Sequence, residues 1–128
     1  MTPRIIVCLC LATLGTTTTA VAQEPTTAKY SQKTLLKNWA LSRCLAQIAP
    51  DEASRNDANA TAAAYLEFGH QPIETYEAID KLVVTFIKRE YAGSTKSSYN
   101  SMKCIDLFHS RDLDAIVRTN VGGPRRSK

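Results

Sequence analysis

Residues 73–91 read IETYEAIDKLVVTFIKREY. Tyr76, Ile79, Val83, Phe86 and Ile87 recur at three- and four-residue spacing, which gathers them on one face of an α-helix. Glu74 and Glu77 stand near its start, Lys88 and Arg89 near its end, and that charge order complements the helix dipole. The pattern predicts a helix over Ile73 to Tyr91. An apolar face this wide must be buried against other elements, and the flanking sequence supplies only helices.

Upstream, His70-Gln71-Pro72 is a turn, and the Ala-rich stretch 51–69 before it predicts a second helix closed by Ala62, Tyr65, Leu66 and Gly69. Asn56, Asp57 and Asn59 are poor interior helix formers, so its regular part is expected to start near Asp57, acting as N-cap. Further upstream, Tyr30 to Ala49 carries Leu41, Cys44, Leu45 and Ile48 at helical spacing, with Leu35 and Trp39 flanking the stripe. Ser31 or Thr34 caps its start and Pro50 marks its end. Downstream, Ala92 to Ser98 (AGSTKSS) is a small, polar loop. Tyr99 to Phe108 predicts a helix with Met102, Ile105 and Phe108 on one side. Ser110 caps a last helix over Asp112 to Val121, with Leu113, Ile116 and Val117 inward. Nothing reads as a strand. The expected fold is all-α, one compact bundle of four to five helices over residues 30–121.

The first 22 residues set the compartment. Arg4, the apolar run Ile5 to Gly15 and the small-x-small site Ala20-Val21-Ala22 are the order of a secretory signal peptide (residues 1–22), and the run is too short to span a bilayer. Its cleavage removes Cys8 and Cys10, leaving Cys44 and Cys104 in an oxidising space. A disulfide between them is therefore expected, pinning the first helix to the fourth. Closing so long a loop stabilises by about 4 kcal/mol in the chain-entropy model. Residues 23–29 read as a flexible linker, and residues 122–128 (GGPRRSK) as a disordered basic tail.

The net charge of +4 does not point to nucleic acid. Arg4 lies in the leader and Arg125, Arg126 and Lys128 in the tail, so the body between them is balanced, with no basic stripe on any predicted helix. No zinc spacing, glycine-rich phosphate cradle or Gly-x-Ser-x-Gly elbow occurs in residues 23–128, and no cofactor or metal is expected. His70 and His109 are the only side chains that titrate near neutrality, and Asp106 lies one helical turn before His109. A hydrolase using His109 and Asp106 is thus one reading, and a general periplasmic binding or structural protein another. His70, however, sits in a turn before proline, and His109 stands where a helix should end, a position that favours a dipole-complementing histidine. The residues by themselves describe a small secreted helical protein without visible chemistry, which points to binding.

Asn38-Trp39-Ala40-Leu41-Ser42-Arg43-Cys44, Tyr65-Leu66-Glu67 and the run Lys103 to Asp114 (KCIDLFHSRDLD) together resemble a known family. It is that of the immunity proteins of type VI secretion amidase effectors, specifically those protecting against the fourth amidase family. The likeness covers Lys33 to Arg118. It implies a periplasmic, helical, homodimeric protein, not an enzyme, that neutralises a peptidoglycan amidase resembling the cysteine–histidine peptidases. It also implies that a loop before the Lys-Cys helix blocks the amidase groove and that a helix of the other protomer widens the contact. On this chain the loop is Ala92, Gly93, Ser94, Thr95, Lys96, Ser97 and Ser98, flanked by Tyr91 and Tyr99 as anchors. Its small residues suit a narrow cleft, and Lys96 offers one charge to an acidic rim.

Overall fold

The computed structural model describes residues 23 and 25–121. The expected signal peptide and basic tail lie outside the described residues. Within the expected linker, Thr27–Lys29 form one 3-10 turn. Five helices follow: α1 (Gln32–Ile48), α2 (Glu52–Glu67), α3 (Ile73–Ile87), α4 (Asn100–Phe108) and α5 (Arg111–Val121). Among the described residues there is no strand, as expected.

Local chemistry places the helix ends. Ser31 caps α1, its Oγ accepting the Thr34 N–H at 3.1 Å. Ala49 is driven to an extended conformation (φ −57°, ψ 131°) by Pro50, which stops the helix. Asp51, not Asp57, begins α2: its carboxylate accepts the Ser54 N–H at 2.8 Å and the Ser54 hydroxyl at 2.9 Å. Those bonds hold the Asp51 carboxyl below its ordinary pKa. Asp57 is instead an interior residue of α2, whose carbonyl accepts the Thr61 hydroxyl. Ser110 caps α5 through the Leu113 N–H at 3.1 Å. Helix α3 stops at Ile87, one turn earlier than its apolar pattern predicts, so Arg89, Glu90 and Tyr91 join the connection to α4.

The core is built from Leu36, Trp39, Ala40 and Cys44 of α1, Tyr76, Ile79, Val83 and Phe86 of α3, Cys104 and Leu107 of α4, and Leu113 and Val117 of α5. Helix α2 buries only Ala62 fully and lies as an outer layer. Trp39 and Tyr76 meet edge to face, ring centres 4.8 Å apart, joining α1 to α3. The expected disulfide is present: Cys44 and Cys104 are bonded, with Cα atoms 5.6 Å apart, and both are fully buried.

Two of the predicted faces are rotated. Leu45 is 40 % exposed, because the buried arc of α1 is centred on Leu36, Ala40 and Cys44. On α4, Met102 and Ile105 are 47 % and 55 % exposed, and the inward positions are Lys103, Cys104 and Leu107. Cys104 must face Cys44, and at 100° per residue that turns Met102 and Ile105 to solvent. Leu66 of α2 is likewise exposed.

Polar ties join the layers. Arg43 donates from Nε to Asp80 Oδ1 of α3 at 3.0 Å and from Nη1 to Asn59 Oδ1 of α2 at 2.9 Å. Gln32 locks the α2–α3 turn to the start of α1, donating to the Phe68 carbonyl and accepting the His70 N–H, both at 2.9 Å. Lys37 pairs with Asp114 at 2.9 Å, which holds the Asp114 carboxyl below its ordinary pKa. Among the described residues one buried polar side-chain atom is left over: the Thr75 hydroxyl finds no partner there. Removing an unpaired buried hydroxyl relieves its desolvation cost, so Thr75→Val should stabilise the protein by about 1 kcal/mol. Urea denaturation checks this; a lower midpoint would show that the hydroxyl has a partner in solution.

Candidate functional site

Once α3 stops at Ile87, residues 88–99 leave the bundle, and Ala92, Gly93, Ser94, Thr95, Lys96, Ser97 and Ser98 are all exposed. Exposure and small side chains alone would make this segment a loose connection. Its hydrogen bonds make it a shaped one. At its far end Tyr99 takes a left-handed conformation (φ 51°, ψ 34°), costly for a bulky residue, and N-caps α4. The Tyr99 hydroxyl donates to the Thr95 carbonyl at 2.5 Å, and its N–H to Ser97 Oγ at 3.2 Å. The ring lies directly against Gly93: a Cβ there would stand 2.8 Å from the ring Cζ, so glycine is required for the approach. The loop thus folds back on Tyr99.

The near end is held by Tyr91, whose hydroxyl donates to Asp106 Oδ2 on α4 at 2.7 Å. That bond to a carboxylate is the main cause that raises the Tyr91 pKa above its usual value. Tyr91, Ala92, Gly93, Ser94, Tyr99 and Met102 together line a shallow depression between the loop and α4. Tyr91 and Tyr99 are both half-buried, with their hydroxyls engaged inside this unit. Beneath it, Lys103 Nζ donates to the Ile87 carbonyl at 3.3 Å and to Asn100 Oδ1 at 3.1 Å. Lys88 and Arg89, which the sequence places as dipole partners of α3, are exposed beyond its end, and Arg89 lies 3.4 Å over the Phe86 ring. The cation serving the last carbonyl of α3 comes from α4. Lys103 and Asp106 carry no sequence signal for this role, since both act across the loop that separates α3 from α4.

The residues expected for hydrolysis are not brought together as an acid–base pair. Asp106 accepts the Tyr91 hydroxyl, and His109 is the C-cap of α4, its ring edge-on to Phe108. His70 is exposed in the α2–α3 turn. Among the described residues no group of three His, Cys, Asp or Glu side chains is placed to hold a metal ion. Among them, too, no helix is long and apolar enough to cross a membrane.

Fold and loop together define a disulfide-braced helical domain that presents a preshaped surface segment. A family profile described as type VI secretion system (T6SS), amidase immunity protein, matches residues 34–117 of the 128, and the chain belongs to that family. Solved structures agree. The chain is 48 % identical to a chain in the effector–immunity system Tae4/Tai4 from Salmonella typhimurium, with a TM-score of 0.74, covering 77 % of this chain and 98 % of that one. It is 28 % identical to one in the type VI effector–immunity complex Tae4–Tai4 from Enterobacter cloacae, with a TM-score of 0.68, covering 77 % and 100 %. A structure described under type VI-secreted toxins and self-resistance proteins in Serratia marcescens is 32 % identical, with a TM-score of 0.73, covering 84 % and 90 %. A search of curated protein sequences finds no significant match.

Proposed function

We propose that this chain, after removal of residues 1–22, is a periplasmic immunity protein that binds a cognate type VI secreted peptidoglycan amidase and inhibits it without chemistry of its own. The observation that carries the mechanism is the loop 88–99: it is exposed along Ala92 to Ser98 yet held in one shape by Tyr91 and Tyr99. A segment of that kind enters a narrow catalytic groove and excludes substrate. Gly93 and the serines present backbone with little bulk, and Lys96 offers its charge to an acidic rim. The braced tyrosines lower the ordering cost of binding, because the loop is already held in one shape before it meets a partner. Family membership supports the partner class, as do the solved complexes of Tae4 with Tai4 from Enterobacter cloacae and of Tae4 from Salmonella typhimurium with the Enterobacter cloacae Tai4. The proposal includes a homodimer whose second protomer adds a helix to the contact.

The test is peptidoglycan hydrolysis by the cognate amidase with residues 23–128 at equal molarity. Hydrolysis should stop and the two proteins should co-elute. Replacing Gly93-Ser94-Thr95-Lys96 by a shorter turn should preserve the helical spectrum and weaken inhibition by about 100-fold or more, the scale of an interface hot spot. Undiminished inhibition by that variant would remove the loop from the mechanism. Undiminished hydrolysis with the intact chain would sink the proposal as a whole.

A further inference from the structure

Lys103 is a buried cation, 7 % exposed, on a helix whose other inward residues are Cys104 and Leu107. Burying an ammonium is costly, and a methionine would fill the same volume without that cost. What the amine does that an apolar side chain does not is tie the end of α3 to the first turn of its own helix, α4. Its partners are the carbonyl of Ile87, the last residue of α3, and the side chain of Asn100, the first residue of α4. Those are the points at which loop 88–99 leaves the bundle and returns to it. The Ile87 carbonyl is one of the unpaired acceptors at a helix C-terminus, where a cation is also favoured by the dipole.

We propose that Lys103 is the positioning residue that presets the loop: its ammonium clamps both roots and so fixes the direction in which residues 88–99 project. This rests on the loop being the inhibitory element. Lys103 is too buried to be a principal contact for a partner, so its effect on binding runs through the loop. The clamp works with the Tyr91–Asp106 bond, which fixes the near arm to α4, and with Tyr99, which closes the far arm. An unclamped loop has to be ordered at the moment of binding, and its affinity falls by that ordering cost while its contact surface is unchanged.

The experiment compares the intact protein, Lys103→Met, Asn100→Ala and the shortened-loop variant. Each is assayed for amidase inhibition, thermal unfolding and amide hydrogen exchange. Lys103→Met should speed exchange of the 88–99 amides and weaken inhibition by about tenfold, with exchange in α1 and the helical spectrum unchanged. Asn100→Ala, which removes one end of the clamp, should do the same by about threefold. Full inhibition by Lys103→Met, while the shortened loop inhibits poorly, overturns the clamp and leaves the proposed function standing. Weaker inhibition with unaltered loop exchange also overturns it, since Lys103 would then act elsewhere. If Lys103→Met does not fold, Asn100→Ala decides: unchanged exchange and inhibition overturn the proposal. Full inhibition by the shortened loop instead defeats the reading on which the clamp rests.

Discussion

Cys44→Ala/Cys104→Ala should lower the stability of the protein by about 4 kcal/mol, the chain-entropy value for a cross-link spanning 60 residues. That is most of what a domain this small has to lose, because total stabilities of about 5–15 kcal/mol are typical and a thin core sits at the low end. The loss should appear as a fall of roughly 2 M in the urea midpoint. It should be felt most at α4, whose nine residues are too few to hold a helix by themselves. Since α4 carries the far root of the loop and both Lys103 and Asp106, the double variant should also inhibit poorly at temperatures where it is still largely folded. A midpoint shift below about 0.5 M would mean that Leu107 and its neighbours hold α4 against α1 without the cross-link. Reductant alone should act slowly on the folded protein, because both cysteines are fully buried.

Phe86→Ala should cost about 3–5 kcal/mol. Phe86 is 1 % exposed in the last turn of α3, and Arg89 covers its ring from the solvent side. Truncation leaves a cavity directly under the point where the chain departs for the loop. The melting temperature should fall by about 15 °C or more, at roughly 4–8 °C per kcal/mol for a domain of this size. Phe86→Leu, which keeps most of the apolar volume, should cost only about 1 kcal/mol. Equal losses in the two variants would show that the stacked Arg89 contact, and not cavity formation, dominates at this position. Because the Ile87 carbonyl held by Lys103 is the next residue, Phe86→Ala should also accelerate amide exchange in residues 88–99 before global unfolding.

The residues that carry the family likeness turn out to have scaffold roles. Arg43-Cys44 faces outward and inward in turn: Arg43 ties α1 to Asp80 and Asn59, and Cys44 ties it to α4. Lys103-Cys104 is the counterpart on α4, with Lys103 at the loop roots and Cys104 returning the disulfide. Each pair joins a polar tie to the covalent one. The loop, by contrast, carries little recognisable pattern, because small polar residues read alike in a shaped segment and a slack one. Its shape depends on Tyr99 lying against Gly93 and on Tyr91 reaching Asp106, contacts that the order of residues does not announce.

The sequence by itself determined the all-helical class, most of the helix limits, the Ser110 cap, the stop at Pro50 and the pairing of Cys44 with Cys104, and it narrowed the α1 cap to Ser31 or Thr34. All of these follow from short-range rules: apolar recurrence with the helical period, side-chain oxygens beside free N–H groups, and a small cysteine count. Only the tertiary structure decided that α3 ends at Ile87, that Met102 and Ile105 face solvent, and that loop 88–99 has a shape. In each case the deciding partner lies far along the chain. Cys44 sets the rotation of α4, Lys103 takes the carbonyl on which α3 ends, and Asp106 receives Tyr91. A helical period specifies which residues share a face, but the direction in which that face points is set by whatever it packs against.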